Sequence, residues 1–310
     1  MRRTILGKAW YSSTVDKVVF MTPVNFVRLH DIEPLIRAKW AAKAPFSLIR
    51  IGDGELSVLQ YPNVPAVRIQ YVFQRAMSDR PYTDAEVGDV RAGMVQAVNS
   101  ADVVGMYDSY EANELCVVHE EMLSDAGLGW MTACHPNVHI YMQSTGVLDR
   151  LLKIAQRVTL ITGRDVLDQF EDAYPHITAN QHLIPVERQY ALNGDNRDQH
   201  YPDAYERIKD RLRPDGPCHL YLIGAGLLAK EYCSVVKSRG GFALDIGSVF
   251  DYWANVPTRE GKRAIVDGQA ALAGESRWPG IFLGSTPDPS ALQASPYRGM
   301  FRPQEITPRP

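Results

Sequence analysis

Apolar runs of strand length recur along this chain, each followed by a turn and then by a segment of helical period, and that alternation leaves few folds open. The runs are residues 46–51, 102–107, 157–162, 219–223 and 242–247, with a weaker one around 182–186. Helical patterning falls at 31–44, from Glu55 to before Pro62, at 84–100, 113–123 and 145–155, from Asp165 to before Pro175, at 203–212, and from Gly226 through Lys237. Asp31 can cap the first helix and Pro34 is tolerated in its first turn, while Gly240 and Gly241 end the last. Strand and helix alternating over about 200 residues predict an α/β fold: a Rossmann-like, doubly wound, mainly parallel sheet with helices on both faces. Residues 1–30 read as an N-terminal arm or leading strand, 31–260 as the folded domain, and 261–310 as a tail with seven prolines after residue 274.

Composition narrows the function classes. The 310 residues are 45% hydrophobic with a net charge of −3, an ordinary globular balance. No nucleic-acid partner is implied, because the densest basic cluster, Arg207, Lys209, Arg211 and Arg213, is interrupted by Asp210 and preceded by Glu206. Ser12, Ser13, Asp16 and Lys17 break any signal-peptide core after the charged start, and no stretch reaches membrane-span length, so no transmembrane segment and a cytoplasmic location are expected. Cys116, Cys134, Cys218 and Cys233 form no C-x-x-C pair and read as free thiols.

The segment Arg50-Ile51-Gly52-Asp53-Gly54-Glu55 ends the first apolar run with two carboxylates two positions apart. At the carboxyl end of a parallel strand, Asp53 and Glu55 would face the place where open α/β sheets bind ligands. Arg50 is either a functional cation there or half of a structural ion pair bracing the turn. Further on, Gly224-Ala225-Gly226 joins a strand to a helix, the arrangement that presents backbone N–H groups to phosphate. Gly224, Gly226 and Ala229 fit a dinucleotide fingerprint, with Asp245 about 20 residues on as its ribose-binding acid. Lys230 meets a diphosphate or is a solvated helix residue. Asp245, inside an apolar strand, is structural or poised at a site. Ser248 and Asp251 follow that strand, Asp251 as a cap or as a catalytic base. His135 reads as a satisfied hydrogen-bonding residue. No Ser-His-Asp set, nucleophile elbow or H-E-x-x-H helix is present.

Taken together, the Arg50 to Glu55 block, the Gly224 to Gly226 turn with Lys230, and the block from Ala243 to Asp251 resemble the bacterial GT-D fold glycosyltransferases, over roughly residues 30–260. The resemblance implies a Rossmann-like sandwich and a D-x-E motif serving a metal-dependent nucleotide-sugar site. Asp53 and Glu55 match the D-x-E, and Arg50 and Gly52 match the residues before it. It further implies Mn2+ or Mg2+ held by Asp53 and Glu55, directly or through water. A nucleotide-sugar donor, a UDP-sugar on this resemblance, would bind Arg50, Gly52, Gly54, Gly224, Ala225, Gly226, Lys230, Asp245 and Ser248. The acceptor would be a glycan or a glycoprotein. Asp251, Glu187 or Asp108 would deprotonate the acceptor hydroxyl if configuration inverts. Two other readings stand beside it: a dinucleotide- or adenosylmethionine-binding enzyme centred on Gly224 and Gly226, and a non-catalytic nucleotide-binding module.

Overall fold

The computed structural model describes residues 24–78, 80–106, 131–187, 198–254 and 256. Eight parallel strands form one sheet. They are β1 (Val24–Phe26), β2 (Phe46–Arg50), β3 (Val103–Gly105), β4 (Met131–Cys134), β5 (Arg157–Thr162), β6 (Thr178–Leu183), β7 (His219–Gly224) and β8 (Phe242–Asp245), in the order β1-β4-β3-β2-β8-β7-β5-β6. The central strands are apolar on both faces, as a parallel sheet covered on both sides requires. Phe46, Leu48, Leu220, Leu222, Phe242 and Leu244 point to one face, and Ile49, Tyr221, Ile223 and Ala243 to the other.

Helices cover each face. With Phe46 and Leu48 pack α1 (Leu29–Ala41), α5 (Val138–Ser144), α6 (Val147–Leu152), α7 (Leu167–Ala173) and α10 (Val249–Trp253). With Ile49 pack α2 (Asp53–Leu59), α3 (Ala66–Ala76), α4 (Asp84–Ser100), α8 (Tyr205–Arg211) and α9 (Ala229–Ser238). The doubly wound architecture is the one expected. Start signals act where they should: Thr83 Oγ1 accepts from Glu86 N–H at 3.2 Å, and Glu86 accepts in return from Thr83 N–H at 2.9 Å, a reciprocal cap on α4.

Some boundaries differ from the sequence reading. The helix expected over 145–155 is α6 alone, over a shorter range, because Gly146 takes φ +72° and separates it from α5. The weak strand expected at 182–186 lies earlier, as β6. It is an edge strand with an alternating exposed pattern, while the apolar Ile184 and Val186 that suggested it pack below the strand end. The run at 242–247 stops at Asp245, where Ile246 and Gly247 both donate to the Ile223 carbonyl and turn the chain into α10. β4, α3, α5 and α10 were not read as elements, and β1 lies within the segment read as an arm or leading strand. The expected helix at 113–123 lies outside the described residues. Among the described residues no helix is long and apolar enough to cross a membrane, and Cys134, Cys218 and Cys233 are free.

The topology fixes where a ligand can enter. After β2 the chain moves to β3 on one side, whereas β8 is reached from β7 on the other, so the winding reverses between β2 and β8. The carboxyl ends of those two strands frame the crevice of an open α/β sheet.

Candidate active site

A cleft of about 250 Å³ opens at that crevice, running over the ends of β2, β8, β7 and β5. Four charged side chains anchor it. Arg50 Nη2 donates to Asp245 Oδ1 at 3.0 Å, and Arg50 Nε donates to the Asp245 carbonyl at 3.1 Å. Lys230, in the first turn of α9, donates to Glu55 Oε1 and to the Gly226 carbonyl, and its Nζ stands 3.2 Å from Asp245 Oδ2. Two cations and two carboxylates thus alternate in a neutral chain, with Lys230 only 2% and Asp245 only 1% exposed. Buried charges persist only when paired in this way. Burial alone would raise the Asp245 carboxyl, but the Arg50 and Lys230 charges hold it below its ordinary value. Burial likewise opposes ionisation of Glu55, and Lys230 outweighs it, so Glu55 is also lowered. Lys230, which burial alone would lower, is raised by Asp245 and Glu55.

The local sequence explains the placement. Gly52 is the N-cap of α2, and its N–H donates to Glu55 Oε2 at 3.1 Å, so Glu55 caps the helix with one oxygen and receives Lys230 with the other. Asp53, two residues earlier, points outward from the start of α2 and is 83% exposed, 4.0 Å from the Arg68 guanidinium. Gly247 takes φ +45°, and a Cβ there would stand 2.1 Å from Arg50 Nη2, so only glycine leaves the guanidinium in place. Gly226 takes φ +54°, and a Cβ there would meet Glu187 Oε1 at 2.2 Å.

The expected residues separate into groups. Arg50, Gly52, Asp53, Glu55, Gly224, Ala225, Gly226, Lys230, Ser248, Asp251 and Glu187 line the cleft. Gly54 does not; it faces Leu227 and Val72 inside the α2 contact. Asp245 lies behind Arg50 and Lys230, which removes the ribose-binding acid from the dinucleotide reading. Asp251 sits within α10, not at a turn, and accepts from Arg164 Nε at 2.8 Å. Asp108 lies outside the described residues. His135 accepts from the Asn137 N–H at 3.1 Å, a local hydrogen-bonding role.

Two site residues escaped the sequence reading. His139 is fully buried in α5, with both ring nitrogens 3.1 Å from Arg50 Nη1 and Nε2 3.3 Å from Ser248 Oγ. Nothing in its flanks signals this, since its partners are 89 and 109 residues away. Arg164 follows Gly163 at the end of β5, the place that Asp53 holds after β2, and that parallel was the available signal.

Among the described residues no group of three or more histidine, cysteine or acidic side chains could hold a metal ion. A closed, all-protein metal site is therefore not what these residues form. They fit a hard divalent cation that keeps water and phosphate oxygens in its shell and takes one or two carboxylates. Asp53 has its oxygens at the cleft rim, while those of Glu55 already receive Lys230 and the Gly52 N–H.

Residues 27–253 match the GT-D-like family, a GT-D fold-like domain. No curated protein matches the chain. Among solved structures, it is similar to a glycosyltransferase (DUF1792) from Streptococcus sanguinis, at 13% identity and a TM-score of 0.44, over 88% of this chain and 93% of that one. It is also similar to a domain of unknown function 1792 described as having a distinct glycosyltransferase fold, at 11% identity and a TM-score of 0.42, over 85% and 86%. These likenesses are too remote to bear on chemistry. The family match runs from just before α1 to the last residue of α10, across every element that frames the cleft, and the chain belongs to the GT-D-like family.

Proposed function

We propose that this protein is a metal-dependent glycosyltransferase that moves a hexose from a nucleoside-diphosphate sugar to a glycan or protein-linked acceptor. One observation carries the reading: the charge of the cleft. Its described lining holds three cations, Arg50, Lys230 and Arg164, against four carboxylates, Asp53, Glu55, Glu187 and Asp251. Arg50 and Lys230 are already neutralised by Asp245 and Glu55. A diphosphate entering such a site meets no surplus positive charge, so its binding calls for an added cation. Asp53, with exposed oxygens at the rim, is the residue to hold that ion, with Glu55 behind it. A bound Mg2+ or Mn2+ supplies neutralisation of the charge that develops on the leaving diphosphate.

The protein's own groups do the positioning. The Gly226 turn brings backbone close to the cleft floor ahead of α9. Lys230 fixes Glu55, and Arg50 fixes the seam between β2 and β8, so the rim carboxylate is presented from a rigid frame. A cytoplasmic location accompanies this reading as an expectation.

Thermal unfolding with a panel of nucleoside diphosphates tests it, in Mn2+, in Mg2+ and in chelator, on wild type and on Asp53→Asn. A ligand that binds only the native state raises the melting temperature by mass action. The expected result is stabilisation that needs the divalent ion and disappears in Asp53→Asn. Nucleotide stabilisation that survives both chelator and Asp53→Asn would overturn the metal-dependent reading.

A further inference from the structure

A third cleft residue, His200, opens the short π-helix His200–Ala204 that leads into α8. The residue is 3% exposed, and its Nε2 lies 3.0 Å from the hydroxyl of Tyr232. Tyr232 stands in α9 two residues beyond Lys230, so the helix that carries the lysine of the cleft floor also fixes this ring.

The hydroxyl decides which ring nitrogen carries the proton. Tyr232 is completely buried, and among the described residues His200 Nε2 is the one hydrogen-bond partner of its hydroxyl. If Nε2 carried the proton and donated it, the phenol proton would be buried without an acceptor, which is penalised. The phenol therefore donates to Nε2, and the proton of the neutral imidazole sits on Nδ1. Burial pushes the ring down to about 3, and no described charge offsets it, so the imidazole is neutral at ordinary pH. What His200 brings to the cleft is one uncharged N–H donor.

We infer that His200 binds the donor nucleotide by donating from Nδ1 to an oxygen of its diphosphate, an assignment that rests on the nucleotide-sugar reading above. Phosphate oxygens only accept, so they match an N–H that cannot turn into an acceptor. Lys230 and Arg50 are already paired, and a further buried cation would need a carboxylate of its own. A neutral donor escapes that requirement. Tied to α9 through Tyr232, it joins the backbone N–H groups where that helix begins, and together they offer fixed dipoles to an anion.

The test has two arms, both on the full chain. In the first, 15N NMR of histidine-labelled protein reads the tautomer, with the His200 signal assigned by its shift in Tyr232→Phe. The expected spectrum has the proton on Nδ1 between about pH 5 and 8, and its Nδ1 resonance moves when UDP and Mg2+ are added. A proton on Nε2, a doubly protonated ring in that range, or an Nδ1 resonance unmoved by bound UDP overturns the assignment. In the second, calorimetry measures UDP and inorganic pyrophosphate, each in excess Mg2+, on wild type, His200→Gln and His200→Asn. The glutamine amide reaches Tyr232 but has nothing at the Nδ1 position, and both ligands should bind it about tenfold more weakly. The asparagine amide lies at the Nδ1 position and should lose less. Pyrophosphate that fails to bind wild type, or binds His200→Gln equally well, overturns the diphosphate contact. UDP binding that is lost in Asp53→Asn but intact in His200→Gln overturns the role of His200 and leaves the nucleotide-sugar reading standing. Wild type that binds neither UDP nor pyrophosphate overturns both. Should His200→Gln fail to fold, the wild-type spectrum with and without UDP decides.

Discussion

Arg50 and Asp245, 195 residues apart, close the seam between β2 and β8 with two hydrogen bonds, one to the Asp245 side chain at 3.0 Å and one to its carbonyl at 3.1 Å. The crevice where the winding reverses therefore has a charged floor, and Lys230 joins that floor to Glu55. The candidate site and the charge pairing that closes the seam meet at these four side chains.

Removing the Asp245 carboxylate leaves both cations buried without their shared partner. Asp245→Ala is expected to destabilise the fold by about 3–5 kcal/mol, the range for breaking a buried pair from one side. A urea melt reads this as a lower midpoint with an unchanged slope. A midpoint equal to that of wild type would show that the four charges do not hold the seam.

The two acids of the D-x-E segment should behave differently. Asp53 is exposed, so Asp53→Asn should change stability by no more than about 0.5 kcal/mol while abolishing metal-dependent nucleotide binding. Glu55→Gln strips Lys230 of one partner and should destabilise by about 3 kcal/mol. Denaturation of the two variants side by side checks this, and equal losses would contradict the division of labour.

At Gly247, positive φ and the 2.1 Å approach to Arg50 leave no room for a side chain. Gly247→Ala should cost about 1–3 kcal/mol from backbone strain alone and should also displace the guanidinium. Nucleotide affinity, measured on whatever fraction remains folded, should fall as well. Wild-type stability and affinity together would rule out this packing.

Glu231 provides a pH test away from the cleft. Burial raises its carboxyl from the ordinary 4.5 to about 7, against the opposing hydrogen bond from Tyr205. Between about pH 4.5 and 7 the folded protein keeps a proton that the unfolded chain has released, so this group makes stability fall as pH rises through that window. Glu231→Gln removes the dependence. Its stability relative to wild type should be unchanged near pH 4 and should increase by an amount on the order of 1–3 kcal/mol by pH 8. Parallel slopes for both proteins across the window would refute the shift.

Much of this was legible along the chain because it is local. The helix at 84–100 carries its own cap in Thr83 and Glu86, and β5 is buried from Val158 to Thr162 around Val158, Leu160 and Ile161, so both ranges came out as read. The turn after β2 announced a site through two glycines and two acids. β4 was missed, and β1 left between arm and strand, because they are short, at four and three residues, and their place in the sheet comes from pairing with each other and, for β4, with β3. β6 was misplaced because an edge strand exposes half its residues and loses the apolar signal.

By itself the sequence determined the architecture and the strand ends that frame the cleft. Apolar period, turn chemistry and helix caps act over a few residues, and they bring each strand's carboxyl end to one rim whatever the rest of the chain does. Tertiary structure alone decided which charges are spent inside and which face the cleft. Asp53 and Glu55 look equivalent in the chain, yet one lies at the rim and the other is bound to a lysine 175 residues away. Asp245 became floor and Asp251 became wall for the same reason. A charge takes its role from its nearest opposite charge and its access to water, and both are set by the packing of distant segments.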